Sequence, residues 1–409
     1  MASPPPNSPP TGWRPPLHAP LLTGLALTRI IGWGTTYWAP SVLVFDLHRE
    51  IGLSPAVVFG GVTVLLVTGA LIAPALGRYF DMRGTRRAMS VGAVICALGL
   101  AALASSQGPI SYLASWIVIG IGHAMTLANV GNVTIAQLMG DKTRRVIGLM
   151  MVVGGLSSTV FWPVATVLTE GFGWRMALLA FAAMHLFIVL PIHLCIPAYR
   201  QAPAPSRMPG APPPVDGGRV PQADRRAVFW LVALVFSVSG LVSWGLPLHL
   251  ISLLQNAGLD QQAAVGIASL GGPAVLVSRL TELAIGDRVR VESFMLAGLI
   301  FGPLACLILA FGPGSFTLAV VFVLMFNAAM GVIAVARATL PLVLFGRQGF
   351  GAMLGRLTVP QNLAFAMAPL LFAWLIGWLG AAGALLVSGA LQGVALAAML
   401  VLLGRLRNS

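Results

Sequence analysis

The chain has 409 residues, of which 57% are hydrophobic and 9% charged, with a mean hydropathy of +0.90. Soluble domains carry roughly a quarter charged residues, so this composition excludes a soluble globular protein. The formal net charge of +13 does not point to nucleic acid in such a chain, because Lys and Arg gather in the cytoplasmic loops of membrane proteins.

Residues 1–18 have neither the apolar core nor the cleavage site of a signal peptide and are expected to form a short disordered cytoplasmic tail. Apolar runs of about twenty residues then recur, continuous rather than alternating, which predicts membrane helices and not a barrel. Spans are expected near 19–45, 55–77, 88–106, 110–138, 146–168 and 174–196, then 227–253, 261–284, 292–312, 315–345, 350–377 and 382–404. The fold class is therefore an all-α membrane protein of twelve transmembrane helices, split into six-helix halves at 19–196 and 227–404. Residues 197–226 are rich in Pro, Gly and Arg and predict a cytoplasmic linker between the halves, and 405–409 form a second tail. Cys96, Cys195 and Cys306 each fall inside a predicted span without paired spacing, and they read as core thiols.

Ionisable side chains inside a membrane are costly and mark functional candidates. Four of the 24 basic residues fall within spans: Arg29, Arg279, Arg337 and Arg356. Glu282, one turn from Arg279, is the acidic residue well inside a span, so the interior keeps a positive surplus that calls for an anion. A guanidinium stays charged when partly desolvated and grips a carboxylate or phosphate as a fork. Arg29 shares a helix face with Trp33 and Tyr37 at i, i+4 and i+8, while Gly32 and Gly34 permit close helix approach. Thr126, Asn129 and Asn132 form a polar stripe in the fourth span. Thr358, Gln361 and Asn362 form another in the eleventh, about 140–200° around the helix from Arg356. Plainer readings stand beside these. Arg279 can bridge to Glu282 as a gate, Arg337 and Arg356 can snorkel to the interface, and amide stripes can join helices. His123 and Glu282 are the candidate proton sites, whereas His185 and His193 lie on the sixth, outer helix and are discounted. No nucleotide-binding loop, metal-ligand spacing or nucleophile constellation is present, so neither an enzyme nor a cofactor is expected.

Orientation follows from charge. With the N-terminus inside, eighteen basic residues fall in cytoplasmic segments and two, Arg49 and Arg175, on the opposite side. The loop GRYFDMRGTRR at 77–87 carries four arginines and an aspartate in eleven residues. Its Asp81–Met82–Arg83 is echoed by Asp287–Arg288 after the eighth span, an internal repeat that supports the division into two halves. Asp81 is placed to meet a helix N-terminus or a neighbouring arginine.

Gly77, Asp81, Gly84, Arg86 and Arg87 fall at the spacing of the loop between helices 2 and 3 of the major facilitator superfamily, which the chain resembles over 19–404. Arg144–Arg145, Gly148, Gly154–Gly155 and Pro163, with Arg279, resemble the monocarboxylate and oxalate–formate branches. Val275 stands where those carriers can hold an acid. The resemblance implies a monomeric carrier in the inner membrane, with helices 1, 2, 4, 5, 7, 8, 10 and 11 around a central cavity. It also implies that Gly77, Asp81, Arg83, Gly84, Arg86, Arg87, Asp287 and Arg288 form a conformational latch. The expected function is transport of a small organic anion, with Arg29, Trp33, Tyr37, Asn129, Arg279, Arg337, Arg356 and Gln361 binding it, by proton symport or anion exchange. Partners would be the solute, protons and the lipid bilayer, and no nucleic acid. The alternatives are a proton-coupled exporter of drugs or metabolites with structural arginines, and a non-transporting receptor on the same fold.

Overall fold

The computed structural model describes residues 18–127, 129–198, 218–286 and 288–408, so the first tail, Asp287 and most of the expected linker lie outside it. The described chain is helical almost throughout. Helix α1 spans 18–51, α2 Pro55–Arg83, α3 Arg86–Ala104 and α4 Pro109–Met139. Helices α5 (143–172) and α6 (174–194) are parted by Gly173, whose φ of 80° no L side chain adopts easily. In the second half, α7 is Arg225–Asn256, α8 Gln261–Ile285, α9 Val291–Phe311 and α10 Phe316–Phe345. Helices α11 (350–379) and α12 (381–408) part at Gly380, with φ 72°. The same device thus closes each half. Nine helical stretches among the described residues are long and apolar enough to cross a membrane. Breaking two of them at Gly173 and Gly380 and adding α1 gives the twelve passes expected.

Local chemistry explains where the helices deform. A π-helical turn at Gly34–Trp38 precedes Pro40, and another at His185–Val189 precedes Pro191. In both cases a proline without an N–H interrupts the ladder, and a wider turn absorbs the mismatch. In α4 the chain is extended at Leu127 (φ −123°, ψ −170°), where its side chain lies against Gly32 of α1. The polar stripe is therefore split. Asn129 and Asn132 stay on one face, while Thr126 turns to its own Gly122 carbonyl.

Helix α2 continues six residues past its expected end, so Gly77–Arg83 is its last turns and not a loop. One hydrophobic core fills each half, around Trp116, Phe181 and Leu65 in the first and Phe236, Phe322 and Met295 in the second. Phe365 of α11 crosses over to pack with the first-half core. At the arginine-rich end, Phe350 and Leu354 of α11 join Phe80, Met89 and Val130 in a seal between the halves.

The expected linker ends sooner than its composition suggests. Arg219 and Val220 donate their backbone N–H groups to the Val343 and Leu344 carbonyls, at 3.3 and 3.1 Å. These are among the last carbonyls of α10, which have no partner within the helix. The Arg219 guanidinium adds an ion pair to buried Glu292 at 2.9 Å. Cys96 and Cys306 are buried, but Cys195 is exposed at the end of α6, contrary to its reading as a core thiol.

Candidate functional site

A cavity of about 510 Å³ lies between the halves, lined by α1, α2, α4, α5, α7, α8, α10 and α11. Arg29, Trp33, Tyr37, His123, Asn129, Arg279, Arg337 and Gln361 all line it. No Asp or Glu does among the described residues.

Each arginine is held differently. Arg29 is nine-tenths buried, and its Nη2 lies 3.2 Å from the Met151 sulfur. Arg279 donates Nη1 to the Met151 carbonyl at 2.9 Å. Glu282 sits in a separate small pocket with Arg144 and Arg145, and the alternative in which Arg279 bridges directly to Glu282 finds no ion pair among the described residues. Arg337 donates to Ser239 Oγ at 3.3 Å and lies 5.3 Å over the Phe365 ring. Arg356 is exposed and does not reach the cavity. Thr358, Gln361 and Asn362 take the inward face of α11, and the angular separation along the helix turns Arg356 outward.

Neutral side chains complete the lining. Asn129 Nδ2 donates to Thr358 Oγ1 across the two halves, and Asn362 Nδ2 donates to the Leu66 carbonyl at 3.2 Å. Trp33 stands edge-on to Tyr37 and His123, with ring centroids 5.5 and 5.1 Å apart. Tyr37 in turn meets Trp244 of α7 at 5.0 Å, and Trp244 stacks on Phe365 at 4.8 Å. Trp38, Trp244 and Phe365 were not singled out in the sequence, because an isolated aromatic in an apolar run carries no positional signal. His123 bonds Thr36 through Nδ1 at 2.9 Å. His185, discounted as belonging to an outer helix, is fully buried and bonds the adjacent Thr35 at 2.9 Å, and His193 is also buried. The π-helical turn of α1 presents these two hydroxyls to histidines on different helices.

At the arginine-rich end Asp81 caps α11. Its Oδ1 accepts from the Gly351 N–H at 2.8 Å and its Oδ2 from the Ala352 N–H at 2.7 Å. The charge sits where the helix dipole is positive and two amides have no helical partner. Gly77 makes this approach possible, since a Cβ there would lie 2.1 Å from the Gly351 carbonyl oxygen. Gly84 ends α2 with a φ of 74°. Arg83, Arg86, Arg87 and Arg288 are exposed, with Arg83 5.9 Å over the Tyr79 ring, so the inter-half contact is made by Gly77 and Asp81. Asp287 lies outside the described residues.

Two six-helix halves enclosing a cavity lined by three arginines, with a carboxylate of one half capping a helix of the other, define the architecture of a two-domain membrane carrier. The family model of the Major Facilitator Superfamily matches residues 21–283, and the chain belongs to that superfamily. It is 28% identical over 284 residues to monocarboxylate transporter 13 of Bos taurus, covering 63% of this chain and 62% of that one. The chain thus spans less than two thirds of that relative's length. It is 26% identical over 150 residues to an uncharacterized 38 kDa protein in the 23S RNA operon of Thermoproteus tenax, covering 37% of this chain and 39% of that protein. Among solved structures it resembles the human organic anion transporter MFSD10, with a TM-score of 0.70 and 19% identity over 94% of this chain and all of that one. The transporter FucP in its outward conformation matches with a TM-score of 0.69 and 14% identity, covering 95% of this chain and 99% of that one. At these identities the likeness concerns the fold.

Proposed function

We propose that the chain is a secondary active transporter that carries an organic anion, in particular a carboxylate, across the inner membrane by alternating access. The observation that carries this reading is the convergence of Arg29, Arg279 and Arg337 on one cavity, with no carboxylate among its described lining residues. Three guanidiniums in a site of reduced dielectric repel one another and favour any solute that neutralises them. Tyr37, Asn129 and Gln361 supply neutral hydrogen-bonding groups to orient it, and Trp33 offers apolar surface. The names of a monocarboxylate carrier and an organic anion carrier among the similar proteins support the same class. The excess of basic residues on one side supports cytoplasmic termini, and the reading takes the carrier as a monomer in the bilayer, as the superfamily resemblance implies.

Alternating access would use the Asp81–α11 contact as the latch that holds the cytoplasmic end closed. Coupling by anion exchange fits a cavity without a carboxylate to relay protons. Proton symport would fall to His123, the titratable neutral side chain in the lining, or to a proton carried by the acid itself. The test is counterflow of radiolabelled carboxylates in proteoliposomes, with and without a pH gradient. Arg29→Gln and Arg279→Gln are each expected to lower uptake at least tenfold while the protein still folds, as read by its unliganded melting temperature. Uptake unchanged in both variants, or transport confined to neutral and cationic solutes, would refute the anion reading.

A further inference from the structure

The cationic groups of the cavity are not spread evenly. Arg29 from α1 and Arg279 from α8 converge on one short segment of α5, the first on the Met151 sulfur and the second on the Met151 carbonyl. Gly154 and Gly155 make the room for them. A Cβ on Gly154 would lie 2.8 Å from Arg29 Nε, and one on Gly155 would lie 2.6 Å from Arg279 Nη1. The glycine pair is therefore a bed that holds two like charges side by side, each reached from a different half. Such an arrangement is unfavourable when empty and suits an anionic group lying between the two forks.

Arg337 forms a second pole. It rises from α10 to Ser239 of α7, and its guanidinium lies over one face of Phe365. Trp244 stacks on the same ring at an interplanar angle of 9°, and Tyr37 stands edge-on to Trp244. The wall beside Arg337 is therefore a set of flat aromatic surfaces. All three arginines keep a buried Nε without a hydrogen-bond partner, so each pole has donor capacity that the protein leaves unused. Glu282 offsets this field only at Arg279, because it lines the separate pocket beside Arg144 and Arg145 and does not enter the cavity.

Size points the same way. At about 510 Å³ the cavity falls within the range of sites for drug-sized ligands, roughly 300–1,000 Å³. A three-carbon acid displaces only three or four water volumes, about 100 Å³ in all. Such a solute would engage one pole and leave the other charged and unpaired.

We infer that the cavity is built for an organic dianion with two separated acidic groups on a flat, aromatic-sized body, one group at Arg29–Arg279 and the other at Arg337. This deepens the anion-carrier reading and rests on it. The unpaired charge at each pole makes a two-ended anion better than a one-ended anion of the same body, because the second fork is then filled instead of being desolvated for nothing.

The test uses the full chain purified in detergent and matched probe pairs with rigid spacers. These are benzoate and terephthalate, naphthalene-2-carboxylate and naphthalene-2,6-dicarboxylate, and biphenyl-4-carboxylate and biphenyl-4,4′-dicarboxylate. Calorimetric affinities are expected to favour the dicarboxylate at least tenfold in one of the pairs. Arg337→Gln should bring that ratio close to one by weakening the dicarboxylate selectively, and Arg337→Lys should restore part of it. Arg29→Gln and Arg279→Gln should weaken both members. Each variant's melting temperature without ligand reports its folding. Equal affinity within every pair overturns the dianion inference and leaves the anion reading standing. Binding of 2-naphthylmethanol or a naphthylmethylammonium in preference to every carboxylate overturns both. Absence of binding by all the dicarboxylates overturns the dianion inference.

Discussion

Removing the charge of Asp81 is the most direct test of how the two halves are held together. In the wild-type structure both carboxylate oxygens accept a backbone N–H at the start of α11, at 2.8 and 2.7 Å. Each hydrogen bond to a charged acceptor is worth about 1.5–3 kcal/mol, and the charge at a helix N-terminus adds about 0.3–1 kcal/mol. Asp81→Asn keeps one carbonyl acceptor, removes the charge, and points an NH2 group at an amide that is itself a donor. With one bond lost and the other weakened, the closed arrangement should lose about 2–3 kcal/mol, which is about 30- to 150-fold in its ratio to the open one. The assay is double electron–electron resonance between nitroxides at Met82 and Gln348, both exposed and on opposite halves, with exposed Cys195 replaced by Ser. The variant should show a longer distance component that is minor or absent in the parent, a slowed exchange rate, and ligand affinity changed far less than the rate. An unchanged distance distribution with lost affinity would refute the latch and place Asp81 in ligand binding instead.

Other substitutions probe separate contacts. Gly77→Ala puts a methyl group 2.1 Å from the Gly351 carbonyl oxygen, so α2 and α11 must part by about 1 Å to reach ordinary contact. It should widen the same nitroxide distance with Asp81 intact, and an unaffected distance would show that the approach is not tight. Glu292→Ala breaks the clamp between Arg219 and the second half. Because Arg219 is about half exposed, screening limits the loss to about 1 kcal/mol, or about 1 °C in melting temperature for a chain of this length. Arg219→Gln should reproduce that shift and add little to the Glu292 variant, whereas full additivity would mean that the pair does not interact.

Several features were legible in the chain alone. The twelve spans follow from hydropathy, because bilayer thickness sets helix length and lipid leaves no unsatisfied backbone. The division into halves and the list of membrane arginines follow from charge and spacing along one dimension. Asp81 is a good example: position and charge left a helix N-terminus or a neighbouring arginine as its partner, and only the structure decides for the start of α11. What lay beyond the sequence depends on rotation and on pairs remote in the chain. Arg356 looked equivalent to Arg337 by depth, yet the phase of α11 turns it outward while Gln361 faces the cavity. The extended turn at Leu127 split a polar stripe that regular helical phase would have kept whole. His185 carries no positional signal in the sequence, yet the π-helical turn of α1 brings Thr35 within hydrogen-bond reach of it.

The sequence by itself determined that this is a helical membrane protein of the superfamily it resembles, with surplus positive charge inside the bilayer. Only the tertiary structure decided that three of the four arginines share one cavity, that two of them lie together on the Gly154–Gly155 bed, and that the third stands against stacked aromatic rings. The reason is geometric. Composition and periodicity are properties of each helix taken alone, whereas a binding site arises from the rotation and tilt at which helices distant in sequence pack against one another.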